Sequence, residues 1–102
     1  MTLYKKLVRD RIPEIILRDG RMVKIRTADT QEFDRFLKQK FLEETEEFFE
    51  SFEKDELADL LQMIHACAEF HGFSMDDLED LRKKKAAEKG GFSRRTILES
   101  VD

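Results

Sequence analysis

Residues 40–64, which read KFLEETEEFFESFEKDELADLLQMI, decide how this chain folds. The stretch holds two acidic pairs, Glu44 with Glu47 and Glu56 with Asp59, and the members of each pair are three residues apart. On a helix this spacing places two side chains on neighbouring positions, one turn apart along the axis. The two pairs mirror each other about a short break in the pattern. A chain reversal at that break predicts two antiparallel helices with four carboxylates between them.

A helical wheel at about 100° per residue indicates where the carboxylates of the first helix point. With Phe33 as the origin, Glu44 falls at about 20° and Glu47 at about 320°, inside the apolar stripe of a helix predicted over residues 30–51. Lys40, at about 340°, also faces inward. The other acids near this stretch point away from the stripe and are best explained by solvated ion pairs: Glu43, Glu46 and Glu50.

The next helix, predicted over about residues 54–72, has two apolar faces. One face contains Leu57 and Ile64, and the second carries Glu56 and Asp59 among apolar residues. The apolar arc spans on the order of 200°, about twice the stripe of an ordinary surface helix. A helix that packs on two sides in so short a chain predicts a homo-oligomer, either a homodimer or a homotetramer.

Four carboxylates that face one another are unfavourable unless a cation neutralises them. Oxygen ligands of this kind suit Mg²⁺, with Mn²⁺ as an alternative. The pattern therefore predicts a metal site formed by Glu44, Glu47, Glu56 and Asp59. The alternative without a metal remains open, because Lys40 supplies part of the charge compensation.

A basic stripe is predicted on a fourth helix, which begins after Ser74 and ends at Gly90-Gly91. Arg82, Lys85 and Lys89 fall on the same side of this helix as its apolar residues. Two explanations stay open for these cations. The helix dipole favours positive charge near a C-terminus, and long stems can cover apolar surface. Alternatively, one or more of them bind substrate phosphates near the metal site.

The rest of the chain predicts one short helix and two short extended segments. Residues 10–18 form the helix, with Asp10 as a plausible N-cap and Pro13 in the first turn. Residues 22–26 and 94–98 look extended, which leaves a small two-stranded β pairing as an option. The predicted fold class is mainly α, an antiparallel bundle of about four helices with at most this one β pairing.

Composition limits the class of protein further. A chain of 102 residues predicts one domain over residues 1–102, and a net charge of −4 argues against nucleic-acid binding. No apolar run reaches the roughly 18 residues of a transmembrane helix, and the N-terminus lacks the apolar stretch of a signal peptide. The single Cys67 makes no internal disulfide, so we expect a core cysteine and a cytoplasmic setting.

Two segments resemble the MazG-like family of the all-α nucleoside triphosphate pyrophosphatase superfamily. They are KFLEETEEF, residues 40–48, and ELADLL, residues 56–61. Two more, YKKLVRDRIP at residues 4–13 and KAAEKGGF at residues 85–92, are similar to a subgroup often labelled phosphoribosyl-ATP pyrophosphohydrolase-like. The resemblance covers nearly the whole chain. The two acidic motifs in this order are fairly specific, whereas the flanking motifs identify the subgroup rather than any chemistry.

The resemblance implies Mg²⁺-dependent hydrolysis of the α–β phosphoanhydride bond of a nucleotide, which yields a monophosphate and pyrophosphate. It also implies a dimer or higher oligomer. The family's four acids fall on the inward carboxylates of the wheel, and one of them, Glu47, is a candidate to accept the proton of the attacking water. Lys85 is the leading candidate to hold the outer phosphates and act in catalysis.

The other substrate-binding candidates share a basic side chain: Arg9, Lys40, Arg82 and Lys89. Lys40 is the weaker candidate among the helical residues. Another option concerns the N-terminal segment, which would close over the substrate with three residues: Lys6, Arg9 and Asp10.

Other functions stay open at this level. Within the same chemistry, the substrate is either phosphoribosyl-ATP, as in histidine synthesis, or a nucleotide-like pyrophosphate other than a nucleoside triphosphate. In a different class, the chain is a non-catalytic interaction module whose acidic cluster binds a structural cation or a partner's basic segment.

Overall fold

A computed structural model describes residues 5–102, so Tyr4 of the N-terminal motif lies outside the described residues. Within that range the chain forms four helices and no β-strand, and the predicted mainly-α class is confirmed. Contacts group the chain into two compact units, one ending at Cys67 and the other starting at Ala68. One domain over residues 1–102 stays a prediction. The helices are α1 (Ile12–Arg18), α2 (Thr30–Ser51), α3 (Lys54–His71) and α4 (Met75–Lys89).

The reversal between α2 and α3 follows from how α2 ends. Phe52 adopts a left-handed conformation with φ of 56°, and its N–H donates to the carbonyl of Phe48 at 2.7 Å. A left-handed residue after the last turn redirects the chain and stops the helix. Since α3 begins at Lys54, two residues join the helices. The two helices contact each other, as the mirrored acidic motifs predict.

The buried face of the first unit lies on α2 and α3. Leu37 on α2 is 3% exposed and Met63 on α3 is 7% exposed, and Glu44 is the one charged residue among the described residues to be buried with them. On α3, the face with Met63 carries the half-buried Glu56 and Asp59. The opposite apolar face of α3 remains largely exposed.

The small β pairing is wrong for the described residues. Residues 22–26 and 94–98 have no regular secondary structure. Met22 is 89% exposed and Ile97 is 80% exposed, so neither residue contributes to a buried apolar face. An isolated two-stranded pair is marginal in water without such a face. The first segment ends instead in an ion pair of Arg26 with Glu32 in the first turn of α2.

Asp10 does not cap α1. The helix begins at Ile12, with Arg11 in the N-cap position and no side-chain cap. Pro13 in the first turn explains the shift, because proline favours the first helical positions and thereby sets where the helix starts. The preceding turn is closed by a hydrogen bond from the Ile12 N–H to the Arg9 carbonyl, at 3.0 Å.

The second unit contains the end of α3 and all of α4. Ser74 Oγ accepts a hydrogen bond from the Asp77 N–H at 3.0 Å, which confirms the predicted cap. Gly72 and Gly90 follow the two helices with φ of 77° and 82°, a conformation that glycine adopts without strain. None of the described helices is long and apolar enough to cross a membrane.

Candidate metal centre

Three of the predicted metal-binding carboxylates lie together between α2 and α3. Glu44, Glu56 and Asp59 each offer an oxygen atom, and these atoms all lie within 4.8 Å of one another. The i,i+3 spacing places the two α3 acids on one face, and the antiparallel return of α3 brings them to Glu44. Oxygens bound to one Mg²⁺ at about 2.1 Å are separated by roughly 3.0–4.2 Å, so small side-chain movements suffice to form a site.

Glu44 gives evidence for a ligand that is independent of the clustering. The residue is 7% exposed, and its Oε1 lies 3.1 Å from Lys40 Nζ. Its Oε2 is buried and accepts no hydrogen bond from any residue that the structure describes. A buried charged oxygen without a partner carries the cost of its lost hydration, and native proteins rarely leave it so. A cation among the three carboxylates would satisfy this atom.

Glu47 lies next to the cluster but is not one of the three acids whose oxygens meet. Burial raises the pKa of the Glu47 carboxyl above its ordinary value, and the negative charge of the nearby Glu44 raises it further. Glu56 and Glu43 add smaller contributions in the same direction. Glu47 therefore takes up a proton more readily than an ordinary glutamate does. Its role as a metal ligand stays a prediction.

Two basic side chains pair with the clustered acids. Arg9 Nη2 donates to Asp59 Oδ1 at 2.7 Å, and Lys40 pairs with Glu44. Among residues 5–102, neither Glu47 nor Glu56 has a lysine or arginine within ion-pair distance. Within the described residues, two basic side chains thus pair with a group of four carboxylates.

The Arg9–Asp59 contact is a feature that the sequence pattern did not reveal. Arg9 was a candidate for substrate binding, whereas here it holds a predicted metal ligand. The two residues are 50 positions apart, and helical periodicity carries no signal for such a pair. Lys6, in the same segment, pairs with Glu43 on α2 at 3.3 Å.

A shallow cleft of about 330 Å³ runs between the N-terminal segment and α2. Lys5, Lys6 and Lys40 line it together with the ring of Phe36. Lys40 belongs both to this cleft and to the acidic cluster, so the two features adjoin. Glu43 and Glu46 line the cleft as well, and Glu43 pairs with both Lys6 and Lys40, so the cleft carries charges of both signs.

The basic residues of α4 belong to the second unit, and their side chains are exposed. Arg82 pairs with Glu79 one turn earlier, with 2.9 Å between Nε and Oε2. Leu81, expected on a buried face, is 49% exposed. The Glu79 pair shows that Arg82 has a local structural partner. Substrate binding by Arg82, Lys85 and Lys89 stays a prediction.

Comparisons with known proteins add no relative. The chain matches no family model, and no curated protein or solved structure shows significant similarity to it. The resemblance to MazG-like proteins therefore rests on the motifs in the sequence.

Proposed function

We propose that this protein is a Mg²⁺-dependent nucleotide pyrophosphohydrolase of the MazG-like family. It would cleave the α–β phosphoanhydride bond of a nucleoside or deoxynucleoside triphosphate, or of a similar nucleotide, to a monophosphate and pyrophosphate. One observation carries the proposal: Glu44 Oε2 is buried in a cluster with Glu56 and Asp59 and has no hydrogen-bond partner within residues 5–102. The order of the two acidic motifs supports the same activity.

The donor set fits a hard divalent cation. Glu44, Glu56 and Asp59 would hold Mg²⁺, or Mn²⁺ in its place, through carboxylate oxygens, the ligands these ions prefer. The excess negative charge of the cluster supports the same assignment. When bound, the ion supplies a positive charge that stabilises the developing charge on the phosphate groups.

Glu47 is the group we assign to proton transfer. Water attacks the α-phosphorus, the bond from that phosphorus to the bridging oxygen breaks, and pyrophosphate leaves. The carboxylate of Glu47 takes the proton of the attacking water. A general base must lie close to the attacking water, and Glu47 is one turn from Glu44 on the same helix, next to the acidic cluster.

Phosphate binding is assigned in the first unit to Lys40 and its neighbours. Lys40 stands between the acidic cluster and the cleft that Lys5 and Lys6 also line. A polyphosphate carries several negative charges, and lysines act on them as mobile point charges. Glu43 and Glu46 also line the cleft, so the assignment rests on the position of Lys40 beside the acidic cluster and not on a positive excess in the cleft.

The exposed face of α3 supports the proposed homodimer or homotetramer. Leu57, Leu61 and Ile64 are 49%, 53% and 41% exposed and recur at helical spacing. Large apolar side chains along one helix face are expected to pack against another surface. A cytoplasmic setting, which suits the single cysteine, completes the proposal.

The test is pyrophosphate release from nucleoside triphosphates, deoxynucleoside triphosphates and phosphoribosyl-ATP, with Mg²⁺ and with EDTA. Release of pyrophosphate that requires Mg²⁺ establishes the activity, and the best substrate assigns the role. Preference for phosphoribosyl-ATP would indicate histidine synthesis. If a folded, metal-binding protein turns over none of these substrates, the proposed activity on them is wrong, which favours a non-catalytic module or a different pyrophosphate substrate.

A further inference from the structure

We propose that Arg9 is an internal counter-ion, which competes with the divalent cation for Asp59 and binds a phosphate of the substrate once it is released. The inference rests on the proposed function and adds a coupling between metal binding and substrate binding. Its basis is the position of a guanidinium on a carboxylate that also belongs to the metal cluster.

The contact is direct and open to solvent. Arg9 Nη2 lies 2.7 Å from Asp59 Oδ1, with the two side chains 55% and 38% exposed. An ion pair as exposed as this contributes about 0–1 kcal/mol, since water screens the attraction. Asp59 can therefore exchange this partner for a divalent cation at small cost.

The backbone of Arg9 is held while its side chain can turn. The Arg9 carbonyl accepts the Ile12 N–H at 3.0 Å where α1 begins. Lys6 contacts Glu43 on α2 through its side chain. The segment thus has a second contact with α2 that does not involve Arg9 or Asp59.

Lys40 does not fit the same role. It pairs with Glu44 within one helix, four residues apart, and its side chain is only 18% exposed. Helical geometry holds these two residues together whether or not a cation is present. Arg9 lies in an exposed segment that is distant in sequence from Asp59. It is therefore the basic partner that a divalent cation can replace.

Electrostatics links the release of Arg9 to phosphate binding. A guanidinium and a divalent cation on one carboxylate repel each other, so Arg9 is driven from Asp59 when the cation binds. A guanidinium pairs with phosphate through two parallel N–H donors. In the metal-loaded protein the Arg9 guanidinium is therefore available to bind phosphate. In the metal-free protein the same guanidinium is paired with Asp59.

The experiment measures Mn²⁺ binding by isothermal titration calorimetry in the wild type, Arg9→Gln and Arg11→Gln. Arg11 is the matched control, because it loses the same charge from the same segment and pairs with Glu14 outside the cluster. Without its competitor, Asp59 is expected to bind the ion about twofold to fivefold tighter in Arg9→Gln. Arg11→Gln should bind as the wild type does.

A second titration uses inorganic pyrophosphate at saturating Mg²⁺. Arg9→Gln is expected to bind it about threefold to tenfold more weakly, since a charge-assisted contact is lost. Arg9→Lys keeps the positive charge but not the planar guanidinium. Its affinity for pyrophosphate should fall between those of the wild type and Arg9→Gln. Circular dichroism melts of every variant establish that each is folded.

The outcomes separate this inference from the proposed function. If Asp59→Asn weakens Mn²⁺ binding but Arg9→Gln binds Mn²⁺ like the wild type or more weakly, Arg9 is not a competitor and the inference is wrong. If Arg9→Gln binds metal more tightly but pyrophosphate equally well, the phosphate role is wrong. If the wild type binds no Mn²⁺, the proposed function fails and the inference fails with it.

Discussion

Lys40 and Glu44 lie one turn apart on α2 and form an ion pair at 3.1 Å, while the second carboxylate oxygen of Glu44 is buried and has no hydrogen bond to the described part of the chain. One cation therefore satisfies half of a carboxylate that also faces Glu56 and Asp59. A buried carboxylate is normally paired and hydrogen-bonded through both oxygens. The arrangement favours a ligand at the second oxygen over a merely structural role for the cluster.

Substitution of Glu44 by Gln tests the cluster as a metal site. We expect Mg²⁺ affinity to fall at least about tenfold, the loss that even supporting residues of metal sites produce. The thermal midpoint should stay unchanged or rise, because the variant removes a buried charge from a crowded site. Calorimetric titration and a melting curve measure the two effects. Glu46→Gln, at an exposed position of the same helix, should change neither; equal metal affinity in both variants would contradict the assignment.

Glu47→Gln tests the electrostatics of the metal-free protein through pH. The folded-state pKa of Glu47 is raised, so this residue stabilises the fold below its unfolded-state pKa and loses that contribution as pH rises through the folded-state pKa. Wild type and variant should therefore melt alike near pH 4, with the variant becoming the more stable of the two toward pH 7. The difference between the two melting temperatures isolates Glu47 from other carboxyls, such as Glu32, whose pKa is lowered by its hydrogen bond with Arg26.

The control for this pH series is Glu50→Gln, which removes an exposed carboxylate one turn further along α2. The difference in melting temperature between Glu50→Gln and the wild type should vary much less between pH 4 and pH 7 than that of Glu47→Gln. A Glu47→Gln difference that is flat across this range, or that grows toward low pH, would show that Glu47 is not held against the other carboxylates.

Asp29→Ala tests how α2 is started. Asp29 Oδ1 accepts the Glu32 N–H at 2.9 Å, and its loss should lower the free energy of unfolding by about 1 kcal/mol. Urea denaturation measures the change. Asp29→Ser keeps a side-chain acceptor and should retain most of the stability. If Ala and Ser variants are equally stable, the cap contributes nothing to the start of this helix.

Leu61→Asp tests the exposed face of α3 as the contact between subunits. A charge in the centre of an apolar interface is costly, so the variant should shift the protein from homodimer or homotetramer to monomer. Light scattering after size-exclusion chromatography measures the mass. Met22→Asp, at a residue 89% exposed in an irregular segment, is the matched control and should leave the mass unchanged. A wild type that is monomeric at high concentration would contradict the prediction.

Helical periodicity and capping residues were sufficient to predict the main helices. The inward angle of Glu44 on the wheel corresponds to a buried side chain, and Ser74 caps α4 through Asp77 as predicted. Both signals are local, since they depend on residues within one or two turns. The mirror symmetry of the acidic motifs carried the long-range prediction that was confirmed, since α2 and α3 do contact each other.

The failures have a physical cause in common. Asp10 looked like an N-cap, but Pro13 fixes the start of α1 nearer to itself. Residues 22–26 alternate like a strand, yet a strand needs a neighbour and a buried face, which local alternation does not guarantee. The Arg9–Asp59 pair depends on the packing of distant segments, so no pattern in the sequence indicates it.

The identity of the reaction products tests the central claim most directly. Phosphorus NMR of one nucleoside triphosphate, incubated with the protein and Mg²⁺, distinguishes cleavage at the α–β bond from cleavage at the β–γ bond. The account predicts a monophosphate and pyrophosphate in equal amounts, none with EDTA, and almost none with Glu44→Gln. A diphosphate with orthophosphate, or equal turnover by the wild type and Glu44→Gln, would contradict it.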